Sequence, residues 1–235
     1  MKSAKVWFVT AAVVALVAGA TAPVAGAKKL DDAEIRIEIN ATDGDAGIQV
    51  FLDGEGWDTM QMTGPNGVEF SVAAENSVGM QGITEFFFES AEPSFEEQSL
   101  EELLELFPEG FYRFEGRTTE GDRLTGKAKL THALPEAPVQ VEPIDGEEVD
   151  PDDAVFIWEA VDDPPGSKIV GYEVVIECEQ PDFTKTSALV GADVTSITVP
   201  PQVLGQEDAD DCKWEVLAIE DSGNQTISET EFEIE

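Results

Sequence analysis

Alternation of apolar and polar positions dominates the chain, and helical periodicity is nearly absent, which is the pattern of an all-β protein. In "EIRIEIN" the residues Ile35, Ile37 and Ile39 share one face. "GIQVFLDGEGW" and "DTMQMTGPNGVEFSVAA" continue the alternation, with "GEG" and "GPNG" read as turns between strands. "EFFFES" places Phe86 and Phe88 on one face of a strand and Phe87 on the other, so one ring needs a cover or faces water.

One segment breaks the period of two. In "SLEELLELF" Leu100, Leu103, Leu104 and Phe107 recur at helical spacing. Ser99 and Glu102 complete a capping box, and Pro108 stops the helix, expected over 100–107. Its polar face carries Glu101, Glu102 and Glu105, which an anionic membrane repels, so packing on the protein's own sheet is favoured over a membrane role.

The first residues form a different kind of segment. A basic start, the apolar run "VWFVTAAVVALVAGATA" and small residues at Ala25 and Ala27 read as a signal peptide over 1–27, cleaved after Ala27. Secretion or a periplasmic location follows, with no membrane insertion once the leader is gone. What remains is long enough for two sandwiches of about 100 residues each. "LPEAP", with two prolines and no apolar periodicity, is read as a linker over 134–138, dividing a first domain, 28–133, from a second, 139–235.

Charge narrows the partners. With 50 acidic residues against 13 basic ones the net charge is −37, and nucleic acid and anionic membrane surfaces repel such a chain. Cations at acidic loops, or an unknown protein or glycan ligand, are the compatible partners. A single histidine, His132, leaves no catalytic triad to assemble, and no phosphate-cradling glycine loop or cofactor motif is present. "NATDGDAG" sets oxygens at Asn40, Asp43 and Asp45 but lacks the order of a calcium loop, so a hairpin turn is expected there and no metal site is assigned. Asn40 to Thr42 and Asn224 to Thr226 match the glycosylation acceptor pattern.

Two resemblances refine the all-β reading to tandem sandwiches. The "FPEGFYRF" stretch, with Tyr112 after a Pro-x-Gly corner, resembles the tyrosine corner of immunoglobulin-like sandwiches, which implies a bond from its hydroxyl to upstream backbone. Residues from about 138 to 235 resemble a fibronectin type III domain. "AVFIWEAV" sets Trp158 at the strand-B tryptophan, "GYEVVIEC" sets Tyr172 at the strand-C aromatic, and "SITVP" with Leu204 fits strand E and its corner. "CKWEVLAIEDSGN" fits strand F, with Cys212, Trp214, Val216 and Ala218 on one face. Strands C and F are antiparallel neighbours in that family, which implies that Cys178 and Cys212 meet and, in a secreted chain, form a disulfide. The general look resembles bacterial secreted or envelope proteins.

The function expected is a non-enzymatic secreted or envelope interaction or adhesion module. The alternative is an accessory or carbohydrate-binding part of an extracellular hydrolase system, for which Trp57 in "DGEGWD" is the candidate ligand contact beside an ordinary core role. The family resemblance also implies that the loops at 145–153, 177–183 and 206–211 gather at the disulfide end, crowding Asp145, Glu147, Glu148, Asp150, Asp152, Asp153, Glu179, Asp182, Glu207, Asp208, Asp210 and Asp211 into an acidic cap.

Overall fold

The computed structural model describes residues 26–178, 184–204 and 212–234. The expected leader falls outside these residues up to position 25, as do Glu179, Asp182, Glu207, Asp208, Asp210 and Asp211 of the expected acidic cap.

The chain is all-β apart from two short helices. Its first half runs β1 (Lys28–Lys29), β2 (Asp32–Asn40), β3 (Asp45–Gly64), β4 (Gly67–Ala73), α1 (Asn76–Gln81), β5 (Ile83–Glu89), α2 (Leu100–Leu106), β6 (Gly110–Thr118) and β7 (Arg123–Leu130). Its second half runs β8 (Gln140–Glu142), β9 (Glu147–Val149), β10 (Val155–Trp158), β11 (Ile169–Cys178), β12 (Thr184–Gly191), β13 (Ser196–Thr198), a 3₁₀ turn at Pro201–Val203, β14 (Cys212–Glu220) and β15 (Gln225–Ile234).

The expected turn at "GEG" is not a turn. Strand β3 continues through it for 20 residues. Its leading half pairs with β2 and β5, its trailing half with β4 and β6, and the register shifts between Asp53 and Trp57. Gly54 allows the close approach at this bend, since a Cβ there would meet Leu30 Cδ2 at 3.0 Å. The sheet therefore folds over on itself, and Ile35, Ile37, Ile48, Val50 and Leu52 face Met60, Met62, Tyr112, Phe114, Leu124 and Leu130 across one core. The "GPNG" turn is as expected, joining β3 to β4 with Gly64 opposite Gly67.

Helix α2 has the expected capping box, Ser99 bonding the Glu102 backbone N–H and Glu102 returning to that of Ser99. Leu103 is buried, and Leu100, Leu104 and Phe107 pack on the first core, so the apolar stripe is spent internally. Phe86 and Phe88 turn toward that core, whereas Phe87 stays 53% exposed on the other face. Helix α1 is an addition to the single helix expected. Its sequence, "NSVGMQ", has no apolar periodicity, and none of its residues is buried.

In the second half, β13–β10–β8 form one sheet, while β15, β14, β11 and β12 follow one another in the second layer. This is the fibronectin type III strand order, and Phe156, Trp158, Tyr172, Val174, Val216 and Phe232 fill the core between the layers. The acidic stretch 145–153 contributes β9, which pairs in parallel with the end of β15. Phe232 stands opposite both Cys212 and Glu147, so the exposed acids of this stretch lie at the disulfide end of the layer.

The two halves share hydrogen bonds as well as a chain. Gln225, Thr226 and Ile227 of β15 pair in parallel with Glu38, Ile39 and Asn40 of β2, so a single sheet passes from β7 to β12. The segment 134–138 runs without regular structure beside this seam, with Leu134 packed on the first core and the Pro135 carbonyl accepting from Thr226 Oγ1 at 2.9 Å.

Candidate functional site

The seam is held by a dense set of side-chain hydrogen bonds. Gly223, at φ 96°, lets the β14–β15 turn close, and it aims Asn224 inward. Asn224 has no exposed surface. Its Oδ1 accepts the Ile37 N–H at 2.9 Å, and its Nδ2 donates to the carbonyls of Thr131 at 3.0 Å and Ala133 at 3.3 Å. Buried Glu220 braces the turn by accepting the backbone N–H groups of Ser222 at 2.9 Å and Asn224 at 3.0 Å. The acceptor pattern at Asn224 is thus closed to modification in the folded chain, because both ends of the amide are engaged.

On the outer face of the same seam, carboxylates converge. Glu38, Glu89 and Glu92 each bring an oxygen within 4.8 Å of the other two. Strand pairing sets the first two: Gln49 of β3 lies between Arg36 and Glu89, accepting from Arg36 Nε at 2.8 Å and donating to Glu89 Oε1 at 2.8 Å. Gln225 Nε2 donates to Glu38. Glu92 reaches the group by lying across Gly47, where a Cβ would stand 2.8 Å from Glu92 Cγ. Loss of solvent, then the charges of Glu89, Glu38, Asp45 and Asp43, push Glu92 up to about 7. Glu38 and Asp45 are raised too, Glu38 by burial ahead of its neighbours and Asp45 by burial and then Asp43.

Chemically, this group can share protons near neutral pH. It also offers three oxygens to a hard cation, about half of the six to eight that calcium takes, with water or other groups left to supply the rest. Asn40, Asp43 and Asp45 behave as a hairpin: Asn40 Oδ1 accepts the N–H groups of Thr42 at 3.0 Å and Asp43 at 3.1 Å, which closes the β2–β3 turn.

Cys178 and Cys212 are directly opposite in the β11–β14 register and form a disulfide. Trp214 is buried beside Phe156, ring centroids 5.3 Å apart, and its indole donates to the Pro143 carbonyl at 3.1 Å. Trp158 packs edge-on against Tyr172 at 5.5 Å, and the Tyr172 hydroxyl accepts from the Val161 N–H at 2.8 Å. Tyr112 is buried, with its hydroxyl donating to the Pro108 carbonyl at 3.1 Å. His132 Nε2 lies 2.9 Å from the Phe107 carbonyl.

Of the two roles open to Trp57, the structure has the core one. It has no exposed surface and meets Phe86 edge-on at 6.0 Å, so it offers no face to a glycan. The bend at Gly54 and Gly56 is the cause, since it turns the residue after the glycines into the core instead of leaving it on a loop.

The candidate-site residues that sequence reasoning missed are those of the seam: Glu38, Gln49, Glu89, Glu92, Gln225 and the inward role of Asn224. Acids are too abundant here for one trio to stand out, and Asn224 sits in "DSGNQT", which reads as an ordinary turn. Gly47 after the "NATDGDA" hairpin was the one available signal, a glycine inside a strand marking a close approach.

The chain matches no family model and no curated protein. Solved structures aligned with it include a tetra-tandem repeat from the extending region of a large adhesion protein, at 14% identity over 87% of this chain and 50% of that one, TM-score 0.29. Another is the FN1–FN3 segment of chicken CNTN1, at 11% identity over 88% and 64%, TM-score 0.35. A two-domain fibronectin type III segment of chicken tenascin aligns at 11% identity over 86% and 98%, TM-score 0.28. The chain spans half to two thirds of the first two. At these scores the fold assignment rests on the strand order itself.

Proposed function

We propose that the chain is a non-enzymatic interaction or adhesion module of a secreted or envelope protein, in which one stiff sheet holds binding surfaces at a fixed orientation. The observation that carries this reading is the β2–β15 pairing closed by Asn224. Two sandwiches joined by a free linker reorient readily, whereas a shared sheet with a buried polar seam does not. The Cys178–Cys212 disulfide supports an oxidising compartment. Among the described residues no helix is long and apolar enough to cross a membrane.

The experiment is retention of the purified full chain on envelope fractions of its source organism. Saturable binding, with the bound material chemically unchanged, is the expected result. Turnover of an envelope polymer, or no saturable retention, would overturn the proposal.

A further inference from the structure

The chain's few cations are not scattered. Five of its 13 basic residues lie on the β6–β7 hairpin: Arg113, Arg117, Arg123, Lys127 and Lys129. All five are exposed, alternating with the buried residues Tyr112, Phe114, Leu124, Ala128 and Leu130. The register sets Arg113 opposite Lys127, Arg117 opposite Arg123, and Phe111 opposite Lys129. Cross-strand neighbours are about 5 Å apart and next-but-one residues about 7 Å, so one flat face carries a lattice of positive charge.

That face continues across the sheet as neutral hydrogen-bonding groups. Thr59, Gln61 and Thr63 of β3 pair with Arg117, Glu115 and Arg113, and Ser71 of β4 pairs with Gln61. A shallow groove of about 490 Å³ runs here, bounded by Thr59, Gln61, Ser71, Arg117 and Arg123, with Glu115 on its wall and Met60 and Val72 at its floor. Glu115 is the acid on these two strands, bound to Arg123 at 2.7 Å. Among the described residues no carboxylate lies within 4 Å of the side-chain nitrogens of Arg113, Lys127 or Lys129. In a chain with nearly four acids to each base, three neighbouring cations without a carboxylate partner stand out, with Glu34, Glu109 and Asp221 bordering the clefts beside Lys127 and Lys129 but not bound to them.

Lysine on edge strands also discourages aggregation. That explanation covers Lys127 and Lys129 on β7, which only the two residues of β1 flank, but not Arg113 and Arg117 on the inner strand β6.

We infer that the outward face of β4, β3, β6 and β7 docks an acidic polysaccharide, its carboxylates or sulfates on the Arg and Lys lattice and its hydroxyls on Thr59, Gln61 and Ser71. Protein interfaces have apolar, charge-poor centres, and this face has charge at its centre and a single exposed ring, Phe111, already covered by Lys127 at 4.1 Å. Single-stranded nucleic acid binds on stacked aromatic platforms, which this face lacks, and a duplex carries about one charge per 1.7 Å of axis, so the chain's other acids repel it more than they repel a polysaccharide whose charges are spaced by whole sugars. A narrow, hydroxyl-rich polyanion fits a cationic strip bordered by neutral donors. The inference deepens the interaction-module reading and rests on it.

The test measures binding of the full chain to dextran sulfate, to polygalacturonate, to neutral dextran and to a single-stranded oligonucleotide. Binding to the sulfated or carboxylated polymer is expected, weakening with salt, absent for dextran, and reduced at least about tenfold by Arg113→Ser with Lys127→Ser at an unchanged melting temperature. If that pair unfolds the chain, Lys127→Ser with Lys129→Ser replaces it. No binding to either acidic polysaccharide, binding indifferent to the substitutions, or tighter binding to the oligonucleotide would overturn the inference. Self-association in sedimentation that the same substitutions abolish would also overturn it, in favour of a second copy. Envelope retention that persists in the variant would sink this surface alone; loss of retention in the native chain would sink the module reading with it.

Discussion

Asn224 receives the backbone N–H of Ile37 at 2.9 Å across 187 residues of sequence, and through this bond the last strand of the second half is fastened to the first half's sheet. Asn224→Ala leaves that buried N–H, and the half-buried carbonyls of Thr131 and Ala133, without this partner. A loss of about 2–4 kcal/mol follows, because each unsatisfied buried group costs about 1–3 kcal/mol with partial relaxation. Urea unfolding measures it, with the exposed turn residue Asn66→Ala as control; a loss under about 0.5 kcal/mol would show that the seam does not depend on this amide.

The disulfide closes a loop with a sequence separation of 34. Replacing both cysteines, Cys178→Ser with Cys212→Ser, lowers stability by up to about 4 kcal/mol on the chain-entropy account. Non-reducing peptide mapping checks the bond: free thiols, or only intermolecular links, would contradict it.

Protonation of Glu92 gives the fold a pH dependence. Its folded value, about 7, lies above its ordinary 4.5, so the folded state binds more protons than the unfolded one in that window. The associated stability is therefore present below 4.5 and is lost as pH rises through about 7. Glu92→Gln should flatten the urea midpoint between about pH 5 and pH 8 and raise it at the alkaline end, with Glu38 and Asp45 leaving a residual slope. Gly47→Ala, whose methyl displaces the Glu92 side chain, should flatten it likewise. Unchanged slopes in both variants would remove Glu92 from the explanation.

Ser99→Ala deletes the oxygen that accepts the Glu102 N–H at 3.3 Å. The cost is about 1 kcal/mol, and it is read most directly as faster amide exchange in α2 with β6 unaffected.

What was legible in the sequence was whatever a local pattern determines. The period-two strands, the capping box at Ser99 and the inward set Cys212, Trp214, Val216 and Ala218 each depend on neighbours a few residues away. The fold-over of β3 was not legible, because glycines at 54 and 56 serve a reversal and a bend equally well; only the partners β2 and β6, arriving on the same edge, decide between them. The choice between loop and core for Trp57 was open for the same reason. The seam is a contact between residues 38 and 225, which no window along the chain contains. The basic face needed the register of β6 against β7, since "RFEGRTTEGDRLTGKAKL" disperses its charges until the hairpin aligns them.

The parallel course of β2 and β15 also determines how the molecule answers to force. Tension applied at residues 28 and 234 draws β2 backward by its leading end and β15 forward by its trailing end. Two parallel neighbours are then sheared along their common axis. The rungs joining residues 38–40 to 225–227, together with the Asn224 bond, must give way at once instead of unzipping singly. Resistance of that kind is set by the rate of unfolding rather than by its equilibrium. The seam is thus placed to carry such a load in shear, with the Asn224 bond in line with its rungs.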